Sequence, residues 1–117
     1  MMVNDIFSLA DHPERLDWEF FRPGVDIHHL YNNGPSGSSA AFLKYEPGAT
    51  VPEHDHTGYE HIIVLSGAQR DHQGNHQAGT LVINEPGSHH NIVSEEGCII
   101  LIIWEKPVAI RENSTRS

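Results

Sequence analysis

An all-β domain with one core is what this sequence predicts, and three observations predict it. Short runs rich in β-branched and aromatic residues recur along the chain, turn residues separate them at regular intervals, and 117 residues leave room for a single hydrophobic interior. On surface-to-volume scaling a chain of this size buries roughly two-thirds of its unfolded surface, and no second domain fits. Taken in order, residues 1–24 read as an arm with a weak helical signal at Ile6 to Leu9, docking through Leu16, Trp18, Phe20 and Phe21. Val25 to Tyr31 and Ser39 to Glu46 are strand candidates joined by Asn32-Asn33-Gly34-Pro35-Ser36-Gly37, whose Asn, Gly and Pro content is turn chemistry. Val51 to His56 and Glu60 to Leu65 follow, and Asp71-His72-Gln73-Gly74-Asn75 makes another turn before Thr80 to Asn84. Ile92-Val93 and Cys98 to Trp104 complete the set, Pro107 ends the last strand, and residues 111–117 form a polar tail. Ile62 to Leu65 and Ile99 to Trp104 are apolar without alternation, so both faces of these strands need cover. One face fills a barrel; the arm or a second subunit covers the other.

Composition narrows the function classes. Seven basic against sixteen acidic residues give a formal charge of −9, which argues against a phosphate backbone or an anionic membrane as partner and leaves small neutral or cationic ligands open. No apolar stretch approaches the roughly 20 residues that span a bilayer, and the start lacks the basic end and apolar core of a signal peptide. The single cysteine, Cys98, excludes an intrachain disulfide framework and fits a reducing compartment, so the expected location is the cytoplasm. Ten histidines stand out in so short a chain.

Their placement carries the chemistry. In GATVPEHDHTGYEHIIVLSG, residues 48–67, His54 and His56 stand two apart and project to one side of an extended chain. Thr57-Gly58-Tyr59 reads as a tight turn in which Gly58 supplies backbone freedom, returning the chain so that Glu60 meets the same point. In GTLVINEPGSHHNIV, His90 is the fourth candidate; its neighbour His89 must face the other way if the stretch is extended. Imidazole nitrogen with a carboxylate oxygen suits a borderline divalent transition metal, Zn, Fe, Mn, Ni or Cu, without choosing among them. The remaining histidines read as bland: His61 on the outer face or at a dimer contact, His72 and His76 as a solvated pair beside Gly74-Asn75, and His28-His29 as an alternating surface and core pair. Cys98 reads as packing, Tyr59 as outward-facing, and Glu53 and Glu85 as loop carboxylates.

The spacing Gly48, His54, His56, Glu60, Gly67 resembles the first cupin motif at every fixed position. The second motif is matched at Gly79, Gly87 and His90, with Glu85 where the family usually has Pro and Ser94 where many members have Asn. Within cupins, AGTLVINEPGSHHNIVSEEGC, residues 78–98, is similar to the ChrR-like group, as are Pro23-Gly24-Val25, Leu30-Tyr31 and Pro47-Gly48-Ala49. The resemblance covers roughly Trp18 to Lys106. It implies a cupin-type double-stranded β-helix, a jelly-roll barrel, over residues 25–110, with His54, His56, Glu60 and His90 as metal ligands, and it implies a homodimer, since many cupins pair through a sheet face. Cupins of this kind include dioxygenases that cleave small diketones, as well as isomerases and lyases, so a metal-dependent dioxygenase acting on a small organic substrate is the leading expectation. The alternative is a non-enzymatic sensor or regulatory module, since ChrR-type cupins form the signal-receiving part of anti-sigma factors. The residues ahead of Trp18 contain no cysteine and no room for a sigma-binding helical bundle, so anti-sigma activity itself is not implied. Spacing leaves open whether four ligands close a tetrahedral site or leave positions free in an octahedral one.

Overall fold

The computed structural model describes residues 1–111. A short helix, α1 (Ile6–Asp11), and one turn of 3₁₀ helix at Pro13–Arg15 precede ten strands: β1 (Glu19–Arg22), β2 (Val25–Asn32), β3 (Ser39–Tyr45), β4 (Ala49–Asp55), β5 (Glu60–Asp71), β6 (Gly74–Gln77), β7 (Leu81–Asn84), β8 (His89–Ser94), β9 (Cys98–Trp104) and β10 (Ala109–Ile110). All pairings are antiparallel, and the sheet runs β1-β2-β3-β9-β5-β8-β4-β10, with β6 and β7 also paired to β5. The chain is mostly strand, an antiparallel sheet curled around one interior. From residue 112 onward the polar tail lies outside the described residues.

Strand β5 joins the two halves of the curled sheet. Glu60 to Ile63 pair with β7 on one side and β9 on the other, whereas Ala68 to Asp71 pair with β6 and Arg70 meets Val93 of β8. The change of partners falls where the register shifts between Val64 and Ser66. Gly67 makes the passage possible: its φ is +70°, and a Cβ there would run into the carbonyl of Gly97. The sequence expectation ended this strand at Leu65; the chain instead takes up Leu65 as a bulge, Ser66 and Gly67 pair on with Ile99 and Cys98, and the strand continues to Asp71. The following reversal also differs from expectation. His72 and Gln73 form the loop, Asp71 faces Gly74, and the Gln73 N–H donates to Asp71 Oδ1 at 2.8 Å, which leaves Gly74 and Asn75 inside β6.

Two clusters divide the apolar residues as the non-alternating runs require. Val25, Ile27, Leu43, Val64, Ile100 and Trp104 belong to the interior. Phe42, Leu65 and Ile99 face outward, where Ala10 packs with them and Ile6, Leu9, Leu16 and Trp18 lie against them. Trp18 is pinned by its indole N–H donating to Pro13 O at 2.8 Å and by Lys44, whose Nζ sits 4.9 Å above the ring. Phe20 plays no such part: it is 75% exposed. At the other end of the outer face none of the described residues covers Leu81, Ile83 and Ile103, and Ile83 and Ile103 flank His61 in register. Among the described residues no helix is long and apolar enough to cross a membrane.

Candidate metal centre

Three strands and the loop after β4 deliver the four side chains read from spacing. His54 faces inward near the end of β4 and is the direct register partner of His90 on β8. His56, just past β4, is held by its backbone: its N–H donates to Ser88 O and its carbonyl accepts from Gly87 N, both at 2.9 Å. The chain then reverses through Thr57 and Gly58 to Glu60, the first residue of β5. Gly58 serves this turn by its size: its φ lies outside the left-handed region, and a Cβ would stand 2.8 Å from Glu105 Oε1. All four side chains are buried, and one ligand atom from each lies within 4.8 Å of the others. The imidazoles meet edge to face, with centroids 4.5 Å apart for His54–His90 and His56–His90 and 5.2 Å for His54–His56.

Hydrogen bonds decide which nitrogen of each ring is free. His54 Nδ1–H donates to Pro52 O at 2.8 Å, and His90 Nδ1–H donates to Asp71 Oδ2 at 3.1 Å. His56 Nδ1 lies 2.9 Å from Ser88 Oγ, and that hydroxyl already donates to Glu85 O at 2.6 Å, so it accepts from His56. Each Nδ1 therefore carries the hydrogen, and each Nε2 keeps its lone pair, the tautomer in which outer partners set a metal-binding imidazole. His56 Nε2 and His90 Nε2 are buried without any hydrogen-bond partner among the described residues, and His56 Nε2 stands 3.2 Å from Glu60 Oε1. Two acceptors at that distance repel unless a cation lies between them. Leaving buried acceptors unmatched costs about 1–3 kcal/mol each. Metal–nitrogen bonds of roughly 2.0–2.1 Å space adjacent ligand atoms about 3 Å apart, so the donor set fits one ion.

Electrostatics point the same way. Burial raises the Glu60 carboxyl, and where the surrounding imidazoles carry protons His56 foremost, then His90 and His54, outweigh it and hold the carboxyl below the ordinary range, so an anionic Glu60 is favoured by positive charge at the centre of the cluster. Burial lowers both His54 and His90, which keeps them neutral and able to bind a cation. Glu60 is fixed in place by two further donors: Asn84 Nδ2 to Oε1 at 3.0 Å and Trp104 Nε1 to Oε2 at 2.8 Å. Ser88, Asn84, Trp104 and Asp71 thus support the ligands, and sequence reasoning identified none of them in that role. Ser88 lies inside the Pro-Gly-Ser element, the one place where a signal existed.

The other histidines separate cleanly. His89 faces away and its Nδ1 lies 2.6 Å from Glu53 Oε2. His61 stacks on outward-facing Tyr59 with centroids 6.2 Å apart. His72 is exposed, but His76 differs from the solvated pair expected: its Nε2 donates to Asp71 Oδ1 at 2.9 Å and its side chain is 14% exposed. Asp71 accordingly bridges His76 and His90. Cys98 is buried in the interior, which pushes its thiol up to about 11. Glu85 is exposed and supplies its carbonyl to Ser88.

Beside the cluster lies a cavity of about 460 Å³, with His54, Glu60 and His90 on its wall. The rest of the wall is mainly apolar, including Ile27, Leu43, Ile62 and Ile102, and Phe21, Pro35, Pro107 and Val108 also line it.

Comparison with known proteins places this geometry. The ChrR cupin-like domain family matches residues 8–107. The anti-sigma-E factor ChrR of Cereibacter sphaeroides is 38% identical over 78 residues, which cover 63% of this chain and 37% of that protein. The structure of Rhodobacter sphaeroides SigE in complex with the anti-sigma ChrR superposes with a TM-score of 0.68 at 32% identity, covering 78% of this chain and 49% of that one. The chain thus spans less than half the length of these relatives. An acetylacetone dioxygenase from Acinetobacter johnsonii superposes with a TM-score of 0.76 at 13% identity, covering 97% of this chain and 77% of that one, a likeness of fold. The chain belongs to the ChrR cupin-like domain family.

Proposed function

We propose that this cupin holds one divalent transition metal, Zn, Fe, Mn, Ni or Cu, through His54, His56, Glu60 and His90, and acts with it on a small organic molecule in the adjoining cavity. Oxygen-dependent cleavage is the leading reaction. The observation that carries this reading is that His54, Glu60 and His90 are also cavity wall, so an ion on them has ligand space beside it. A metal there supplies Lewis acidity or, as iron, a place for dioxygen. The chain's own residues do the rest: Asn84 and Trp104 orient Glu60, Asp71 orients His90, and the apolar wall keeps water from the reacting end.

A second reading, a regulatory metal-binding module without turnover, is supported by the 38% identity to an anti-sigma factor. Metal analysis of protein purified without chelator, X-ray absorption for coordination number, and oxygen uptake by iron-loaded protein over small diketones and polyphenols separate the two. Turnover with open coordination supports the enzyme. Tetrahedral coordination with no turnover supports the module, and less than a tenth of an equivalent of any transition metal sinks both.

The functional unit in this reading is the barrel of residues 25–110 with the 1–24 arm packed on it, working in a reducing cytoplasm, which the single buried cysteine fits. It pairs as a homodimer through the uncovered row of Leu81, Ile83 and Ile103, an apolar patch unusual for a surface facing water. Sedimentation at micromolar concentration tests this, and a monomer removes it.

A further inference from the structure

We infer that the cavity receives a small organic acid, its carboxylate held by Arg22 and its apolar body lying toward the His and Glu cluster. This deepens the proposed function and rests on the cavity being a ligand site, but not on the metal.

Arg22 ends β1 beside a register shift and is half-buried on the cavity wall. It is the one Lys or Arg among the lining residues. Two other arginines among the described residues spend their charge on surface carboxylates, Arg70 on Glu95 and Arg111 on Asp55. Arg22 has no carboxylate within ion-pair distance among the described residues. Arg15 also lacks an acidic partner among the described residues, but it is exposed and lies off the cavity, so what sets Arg22 apart is an unpaired charge on a mainly apolar cavity wall. A guanidinium so placed presents a planar fork that fits a carboxylate by two parallel hydrogen bonds.

The surroundings set the rest of the ligand. Tyr45 shares the wall with Arg22, and its phenol can donate a second hydrogen bond to a bound carboxylate. Ile27, Leu43, Val51, Ile62 and Ile102 ask for an apolar body. A volume of about 460 Å³ lies within the range that takes small ligands. The long-range field of a chain with net charge −9 repels anions, so selection for an acid has to come from a contact at short range, and Arg22 is where that contact is available.

Benzoate and benzamide are matched probes that differ in charge. Their dissociation constants for the full chain, zinc-loaded and chelator-treated, are measured by calorimetry or tryptophan fluorescence. The expected result is that benzoate binds about tenfold tighter than benzamide in both preparations, that Arg22→Met brings the ratio near one while benzamide affinity is kept, and that Arg22→Lys retains part of the preference. Should Arg22→Met fail to fold, Arg22→Lys and a preference in the wild-type chain that weakens with added salt carry the test. Equal binding of the two probes by the wild-type chain overturns the proposal. A preference seen with zinc alone and surviving Arg22→Met also overturns it, since the carboxylate then sits on the metal and the metal reading stands. A preference that depends on Arg22 in protein unable to take up zinc supports it while removing the metal reading.

Discussion

The two ends of β5 do related work by different means. At its start Glu60 offers an oxygen to the cluster; eleven residues on, at its end, Asp71 offers none but grips His90 from behind while also accepting from His76 and the Gln73 N–H. The first end is a ligand whose place the chain advertises, since a ligand has to stand at a set offset from its partners. The second is a support, free to arrive from anywhere the fold brings it. The difference teaches that the cluster reads in local spacing, whereas its rigidity is a property of sheet topology: only because β5 crosses from one half of the curled sheet to the other does one strand reach both sides of the site.

The largest effect should come from removing a ligand. His90→Ala or Glu60→Ala takes away one of four donors and leaves the remaining lone pairs in a buried site, so divalent metal affinity should fall by more than about a thousandfold. Competition with a chromogenic chelator measures it. Near-normal affinity in both variants would mean that the cluster is not where metal binds.

Asp71→Asn probes the other end and should cost less. The amide can still meet Gln73 but no longer offers a carboxylate to His90 Nδ1–H, and loss of such an outer partner lowers metal affinity by about 10- to 100-fold. The ligand number in X-ray absorption should stay the same. A loss as large as that of His90→Ala would collapse the distinction between ligand and support, and no loss would show that His90 is oriented by packing alone.

How much was legible follows from that distinction. His54, His56, Glu60 and His90 are named by intervals that survive without knowledge of the fold, and the structure brings their ligand atoms together. Asp71 stands 19 residues from His90, in a stretch that reads as a turn, and nothing in the string ties them. The same holds for the fold. Cys98 to Trp104 is a strand by its own apolar content, as are most of β2 and β3. Glu19–Arg22, Gly74–Gln77 and Ala109–Ile110 are polar or short, and they are extended because a neighbouring strand pairs with them. Phe20 and Trp18 looked alike as docking aromatics, yet only Trp18 meets the outer cluster.

Acid should act on the imidazoles of the cluster before it acts on the carboxylates at the two ends of β5. Burial lowers His54 and His90 from the ordinary value of 6.5, so the folded state takes up their protons less readily than the unfolded state. Their contribution is fully present above pH 6.5 and is lost as pH falls through the depressed folded values. Glu60 and Asp71 are also held low, against ordinary values of 4.5 and 3.8, and their contribution is lost only at lower pH still. The thermal midpoint of metal-stripped protein should therefore be flat from pH 8 to 7 and fall in two stages on acidification. A midpoint that rises between pH 7 and 5.5 would mean that the imidazoles gain protons on folding by pairing with Glu60.

One step further out, the effect should nearly vanish. His76 touches Asp71 Oδ1 and no ligand, so it acts on the cluster only through Asp71. With His76→Ala, Asp71 keeps the Gln73 N–H on Oδ1 and His90 on Oδ2, which leaves its carboxylate placed as before. Metal affinity should drop by no more than about fivefold, less than the loss of a direct outer partner, because the contact to His90 is kept. A loss matching that of Asp71→Asn would instead assign the orientation of His90 to a continuous His76–Asp71–His90 chain, and the support end of β5 would then begin at the protein surface.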